Sequence, residues 1–192
     1  MISILKYNAG NIKSVQNALN SLGYRSVITD DPKILMNSDK IIFPGVGEAG
    51  SAMKYIRERG LEEIIKSLKQ PVLGICLGLQ LMCRHTEEAN TKCLGIFNTD
   101  VKLFPKSDKV PHMGWDNFLS IKGELFEGIE PENDVYYVHS YYAGISSCTS
   151  SICDYILPFS ASMKYENFYA TQFHPEKSAD IGEKILRNFL EL

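Results

Sequence analysis

Between Pro71 and Gln80 the chain reads Pro-Val-Leu-Gly-Ile-Cys-Leu-Gly-Leu-Gln. An apolar run too short for a helix, Val72 to Ile75, leads through G-x-C-x-G straight into a helical pattern that starts at Leu77. A strand that turns into a helix within one residue belongs to folds in which parallel strands are crossed over by helices. The preceding 70 residues have the same grammar. Ile2 to Lys6, Tyr24 to Thr29 and Lys40 to Phe43 read as strands; Asn11 to Leu22, Ser51 to Arg59 and Leu61 to Leu68 read as helices. Ile12, Val15, Leu19 and Leu22 share one helical face, and Gly23 ends that helix. This alternation predicts a doubly wound, mostly parallel sheet with helices on both faces.

After the helix that follows Cys76 the pattern changes. Asn98 to Phe104, Trp115 to Ile121, Val135 to Ala143 and Ser160 to Phe173 read as strands joined by short turns, with Asp180 to Leu190 as a closing helix. Antiparallel additions to the sheet are expected there. No repeat or low-complexity linker divides the 192 residues, so one domain over 1–192 is expected.

The composition narrows what such a domain does. Net charge is −3 and the pI about 5.8, which gives no basic field for nucleic acid or anionic lipid. The apolar runs are far shorter than a membrane span and no signal-peptide pattern leads the chain, so a cytoplasmic protein is expected. Five cysteines without a secretory segment argue against a disulfide framework. Cys83, His85 and Cys93 could be imagined around zinc, but no C-x-x-C pair is present, and packing is the ordinary use of such thiols. No phosphate-loop motif occurs. Neither a metal nor a cofactor is expected.

The chemistry gathers around Cys76. The elbow would present its sulfur at the carboxyl end of the sheet, where open α/β folds bind ligands, and a helix start beneath it favours thiolate. A buried packing cysteine at a strand–helix junction fits the same residues. A nucleophilic cysteine needs a base, and the base needs an orienting group. His85, His112, His139 and His174 are the candidates. His174 stands out because Pro175 and Glu176 follow it, so that a carboxylate can reach the imidazole across a rigid turn.

Gly-Ile-Cys-Leu-Gly-Leu-Gln with Ala-Thr-Gln-Phe-His-Pro-Glu-Lys-Ser resembles the triad-type, class I glutamine amidotransferases over essentially the whole chain. Phe43-Pro-Gly-Val-Gly47, Pro111-His-Met-Gly-Trp115, Val138-His-Ser-Tyr141 and Gly10-Asn-Ile-Lys-Ser-Val15 are similar to motifs of the glutaminases that serve imidazole glycerol phosphate synthases. The resemblance implies a catalytic Cys76, His174 and Glu176, and an oxyanion hole from the backbone of Leu77 with Val46 or Gly47. It implies glutamine contacts at Gln80 and Glu88 on the α-amino side and at Ser140 and Tyr141 on the carboxylate side. It further implies that Asn11, Trp115, Tyr136 and Lys177 face a (β/α)8-barrel cyclase partner that uses the ammonia in histidine synthesis. Asp116 stands where asparagine is commoner in that family. Related glutaminases that feed a surface-sugar amidation, γ-glutamyl peptidases on the same fold, and a module without activity are the alternatives.

Overall fold

The computed structural model describes residues 1–8 and 10–192. Its first half runs β1 (Ile2–Leu5), α1 (Ile12–Ser21), β2 (Ser26–Thr29), α2 (Pro32–Met36), β3 (Lys40–Phe43), α3 (Ala49–Glu58), α4 (Leu61–Ser67), β4 (Val72–Ile75) and α5 (Leu77–Met82). The second half holds β5 (His85–Thr86), β6 (Thr91–Lys92), β7 (Asp100–Leu103), β8 (His112–Asp116), β9 (Ser120–Ile121), β10 (Val135–His139), β11 (Tyr141–Ala143), β12 (Thr149–Asp154), β13 (Pro158–Tyr165), β14 (Phe168–Thr171) and α6 (Ala179–Leu190).

Strands β2, β1, β3, β4 and β14 lie side by side in that order, each parallel to its neighbour. Strands β13, β12 and β9 extend the same sheet antiparallel. The mostly parallel sheet with antiparallel additions is therefore as expected. Side chains alternate across it, as a pleated strand requires. Ile41 and Phe43 of β3 join a core built with α3, α4 and α5, whereas Ile42 joins the opposite core with Val15 and Leu19 of α1 and Ile185, Leu186 and Phe189 of α6. Helices thus cover both faces.

Local chemistry sets several boundaries. The Asp31 carboxylate accepts from the Lys33 N–H at 2.8 Å, with Pro32 in the first turn, and so starts α2, a five-residue helix absent from the sequence expectation. Glu48 accepts from the N–H groups of Gly50 and Ser51 at 2.8 and 2.7 Å, and α3 begins two residues earlier than its periodicity suggests.

The second half departs further. Ser160 to Phe173 is a hairpin, because Glu166 takes a left-handed φ of 51° and Asn167 anchors the turn on the Leu68 and Gln70 carbonyls. No glycine announces that turn. The expected strand Trp115 to Ile121 is split into the end of β8 and a two-residue β9, and β12 went unpredicted. Val135 to Ala143 breaks at Ser140: β10 pairs with β8 in a two-stranded ribbon, and β11 pairs with β7 in a separate four-stranded sheet. Helix α5 ends at Met82, so Cys83 closes it rather than continuing it. Among the described residues no helix is long and apolar enough to cross a membrane.

Candidate active site

Strand β4 enters the centre of the sheet between β3 and β14, and the turn to α5 falls on Cys76 itself, at φ 51° and ψ −103°. A side-chain-bearing residue adopts that conformation only under strain, which is held here by the packed elements on either side. The flanking glycines serve close approach instead. A methyl group on Gly78 would run into the Phe43 carbonyl of β3, and one on Gly74 would lie 3.0 Å from the Gly78 carbonyl carbon. The elbow is therefore a cysteine-centred turn between two glycine contacts.

His174 follows β14, and its side chain and that of Glu176 are both fully buried. The imidazole Nδ1 lies 2.8 Å from Glu176 Oε1, and the same oxygen accepts from the amide of Asn11. With a carboxylate opposite, Nδ1 carries the hydrogen, and Nε2 is the atom left for catalysis. Nε2 has no hydrogen-bond partner among the described residues. Burial alone pushes the ring toward neutrality, but the charges of Cys76 and Glu176 more than reverse this and raise its pKa to about 10. Strand β10 clamps the backbone: His174 N–H donates to the Tyr136 carbonyl, while Ser178 Oγ donates to the His174 carbonyl and accepts from Tyr136 N–H, all at 2.7 to 2.9 Å.

The other histidines are differently placed. His139 donates from Nδ1 to the Tyr141 carbonyl at 2.7 Å, and burial drives its pKa down to about 3, so it stays neutral. Its Nε2 accepts from Nδ1 of His112 at 3.2 Å, and Nε2 of His112 lies 3.3 Å from Asp116. His85 meets Asn90 at 2.9 Å, away from Cys76. Of the four, only His174 has a free nitrogen coupled to Cys76.

A cavity of about 260 Å³ opens over the sulfur, smaller than a drug-sized pocket and suited to a small metabolite. Val46, Gly47, Leu77, Gln80, Glu88, Ser140 and Tyr141 line it with Cys76, and Pro111, Val138 and His139 complete the wall. The break at Ser140 is what turns Ser140 and Tyr141 into it. Gln80 donates both amide hydrogens, to the Tyr141 carbonyl at 3.0 Å and to Gln172 Oε1 at 3.1 Å, which leaves its own Oε1 as an acceptor. Glu88 stands on a turn after β5; its Oε2 accepts from Ala49 N–H at 2.8 Å, and burial raises its pKa. The Leu77 N–H lies 3.3 Å from the Gly45 carbonyl and is engaged there, while the Val46 carbonyl accepts from Gly10 N–H at 2.9 Å.

The four residues expected at a partner's face divide. Trp115 is 54% exposed; its ring meets Tyr136 edge-on at 5.9 Å, and Lys177 Nζ lies 6.0 Å from the Tyr136 ring centroid. These three form one patch on the β8–β10 ribbon. The Asn11 side chain instead turns toward Glu176. Gln172 and Ser178 were not singled out from sequence. The signal for Gln172 was available, since it stands two residues before His174 in an extended segment and so projects to the same side.

The chain matches the glutamine amidotransferase class-I family over residues 4–192. It is 56% identical to the imidazole glycerol phosphate synthase subunit HisH of Bacteroides fragilis over 194 residues, covering 100% of this chain and 99% of that one. The subunit of the same name from Escherichia coli is 43% identical, with the same coverage, and that from Vibrio cholerae is 41% identical, covering 100% and 98%. Among solved structures, PurLQS from Thermotoga maritima aligns with a TM-score of 0.72 at 15% identity, covering 99% of this chain and 97% of that one. The glutaminase domain of Trypanosoma brucei CTPS, with bound acivicin, aligns with a TM-score of 0.65 at 15% identity, covering 99% and 93%.

Proposed function

The chain belongs to the class-I glutamine amidotransferases, and from that premise we propose that it is the glutaminase subunit of an imidazole glycerol phosphate synthase. The observation that carries the reading is the buried His174–Glu176 pair, with a free Nε2 coupled to a strained, cavity-lining Cys76. The thiolate of Cys76 attacks the side-chain carboxamide carbon of glutamine. The imidazolium of His174 gives its Nε2 proton to the departing amide nitrogen, which leaves as ammonia. Water then attacks the γ-glutamyl thioester and loses a proton to Nε2, and glutamate departs as the Cys76 thiolate is restored. Glu176 keeps the ring oriented and supports its charge in both halves of the cycle.

Substrate fits the cavity by charge. The α-ammonium finds the Glu88 carboxylate and the free Gln80 Oε1; the α-carboxylate meets the Ser140 and Tyr141 side. The oxyanion of the tetrahedral intermediate needs N–H donors from Leu77 and from Val46 or Gly47, each worth about 3 kcal/mol in the transition state. Since the Leu77 N–H is engaged by Gly45, the Pro44–Gly47 loop must shift before the hole is complete. That step is a natural point for a partner to govern, because hydrolysis without an acceptor wastes glutamine.

The partner in this reading is a (β/α)8-barrel cyclase seated on the Trp115–Tyr136–Lys177 patch, which takes the ammonia into imidazole glycerol phosphate. The test is nitrogen transfer in the reconstituted pair. Glutamine carrying heavy nitrogen in its side-chain amide is supplied beside unlabelled ammonium, and the imidazole product is weighed. Label retained in the product supports the assignment; hydrolysis with no label in the product sends the ammonia elsewhere.

A further inference from the structure

Gln172 lies in the connection between β14 and His174, is fully buried, and holds its backbone on β13 through its N–H to the Ala161 carbonyl at 2.8 Å. Its Nε2 stands 3.5 Å from the sulfur of Cys76, within the longer range of hydrogen bonds to sulfur. The orientation of this amide is decided by its neighbours. The Tyr141 carbonyl can only accept, so the Gln80 group facing it must be the NH2. The second hydrogen of that NH2 then points at Gln172, which must present its oxygen there and its own NH2 to the sulfur. Reversing Gln80 would set acceptor against acceptor at Tyr141, and reversing Gln172 would set donor against donor at Gln80.

We propose that Gln172 is a further catalytic residue: its side-chain N–H stabilises the Cys76 thiolate, and Gln80, a wall of the substrate cavity, positions it for that role. The inference deepens the glutaminase reading and rests on it. His174 is the other donor near the sulfur, but its proton is consumed in the first half of the reaction. It therefore enters the second half as a neutral imidazole whose Nε2 accepts from the attacking water and has no hydrogen to offer the thioester sulfur. An uncharged amide that never exchanges its donor role can serve the leaving sulfur at that moment, without lowering the electrostatic pull on His174. The chain Tyr141 carbonyl–Gln80–Gln172–Cys76 also ties the nucleophile to a residue that contacts the substrate's α-ammonium in the proposed pose. Among the described residues, the other titratable groups around the sulfur are His174 with Glu176 behind it, Tyr7 after β1, and Glu88, His139 and Tyr141 on the cavity wall.

The experiment is the pH profile of Cys76 alkylation by iodoacetamide in the full chain without glutamine, read on the Cys76 peptide by mass spectrometry. Q172M removes the donor at nearly constant volume, and Q172N withdraws it by one methylene while keeping an amide in the buried site. Either variant is expected to move the thiolate inflection up by about one pH unit, which slows alkylation below it by roughly three- to tenfold, depending on how far the plateau rises. The high-pH plateau should not fall, because a less stabilised thiolate is intrinsically more nucleophilic. A merely structural disturbance would lower the plateau or admit reagent to the other buried cysteines without moving the inflection. Glutamine turnover of the variants should lose kcat with KM little changed. An inflection identical to the parent's in whichever variant folds overturns the proposal. A parent chain that fails to hydrolyse glutamine even with the ligand-loaded cyclase barrel, while the inflection still shifts, would instead overturn the glutaminase reading and leave the hydrogen bond standing.

Discussion

Glu176 and Asn11 separate two kinds of contribution at the residue scale. Glu176 faces Nδ1 of His174 and offsets the charge of the ring, both side chains being fully buried. Replacing it with glutamine keeps the shape and removes the charge; kcat should fall by on the order of a thousandfold or more, as when a triad loses its orienting carboxylate. Asn11 acts one step further out, by donating to the same carboxylate oxygen. Its truncation to alanine removes one hydrogen bond to a charged group and should cost roughly tenfold in kcat with KM nearly unchanged, read by steady-state glutaminase kinetics. The Cys76 elbow and the His-Pro-Glu turn were legible because each depends on local chain geometry that a few residues specify. Asn11's contact with Glu176 was not, since the two are 165 residues apart and only the sheet order brings them together. Gln172 was half legible: alternation puts it on the side of His174, but the neighbours that decide which way its amide points come from other elements.

At the scale of elements, the break at Ser140 does the most. By passing from the β8–β10 ribbon to the β11–β7 sheet, the chain turns the Ser140–Tyr141 segment into the cavity and sets the Tyr141 carbonyl between Gln80 and His139. A continuous strand from Val135 to Ala143, the simpler reading of its alternation, would leave that cavity without a wall. Sequence periodicity cannot show which partner strand each half will choose, because the pairing is long-range. The parallel half was more legible because β1, β3 and β4 are short, nearly fully buried apolar runs and the longer helices α1 and α3 each announce an apolar side. The neutral His139 at this junction has a stability consequence. Its folded pKa of about 3 lies below the value of about 6.5 expected when unfolded. Between those values the unfolded chain binds more protons, so stability drops as the pH falls below about 6.5. At pH 5 the cost is about 2 kcal/mol, with His112, also held down by burial, acting in the same direction. Thermal melts at pH 7 and pH 5 check this. His139→Asn should lose less on acidification than the parent; equal losses would remove His139 from the account.

For the whole molecule, the β8–β10 ribbon joins two surfaces. One side clamps the His174 backbone through Tyr136, and the other presents Trp115 and Met113, both more than half exposed. Exposed aromatic and thioether side chains beside an active site are the composition of a binding surface. Trp115→Ala should weaken association with the barrel by about 2 kcal/mol, roughly thirtyfold in Kd by titration calorimetry, while the fold and the chemistry at Cys76 stay intact. Full affinity in that variant would place the partner elsewhere.

The most direct test of the account measures glutamate release from glutamine by the chain alone, by the chain with a histidine-pathway cyclase barrel and its nucleotide ligand, and by Cys76→Ala in the same mixture. Slow hydrolysis alone, strong stimulation by the loaded barrel and loss of both in the variant are the predicted results. Hydrolysis that persists in Cys76→Ala would contradict the mechanism at its first step.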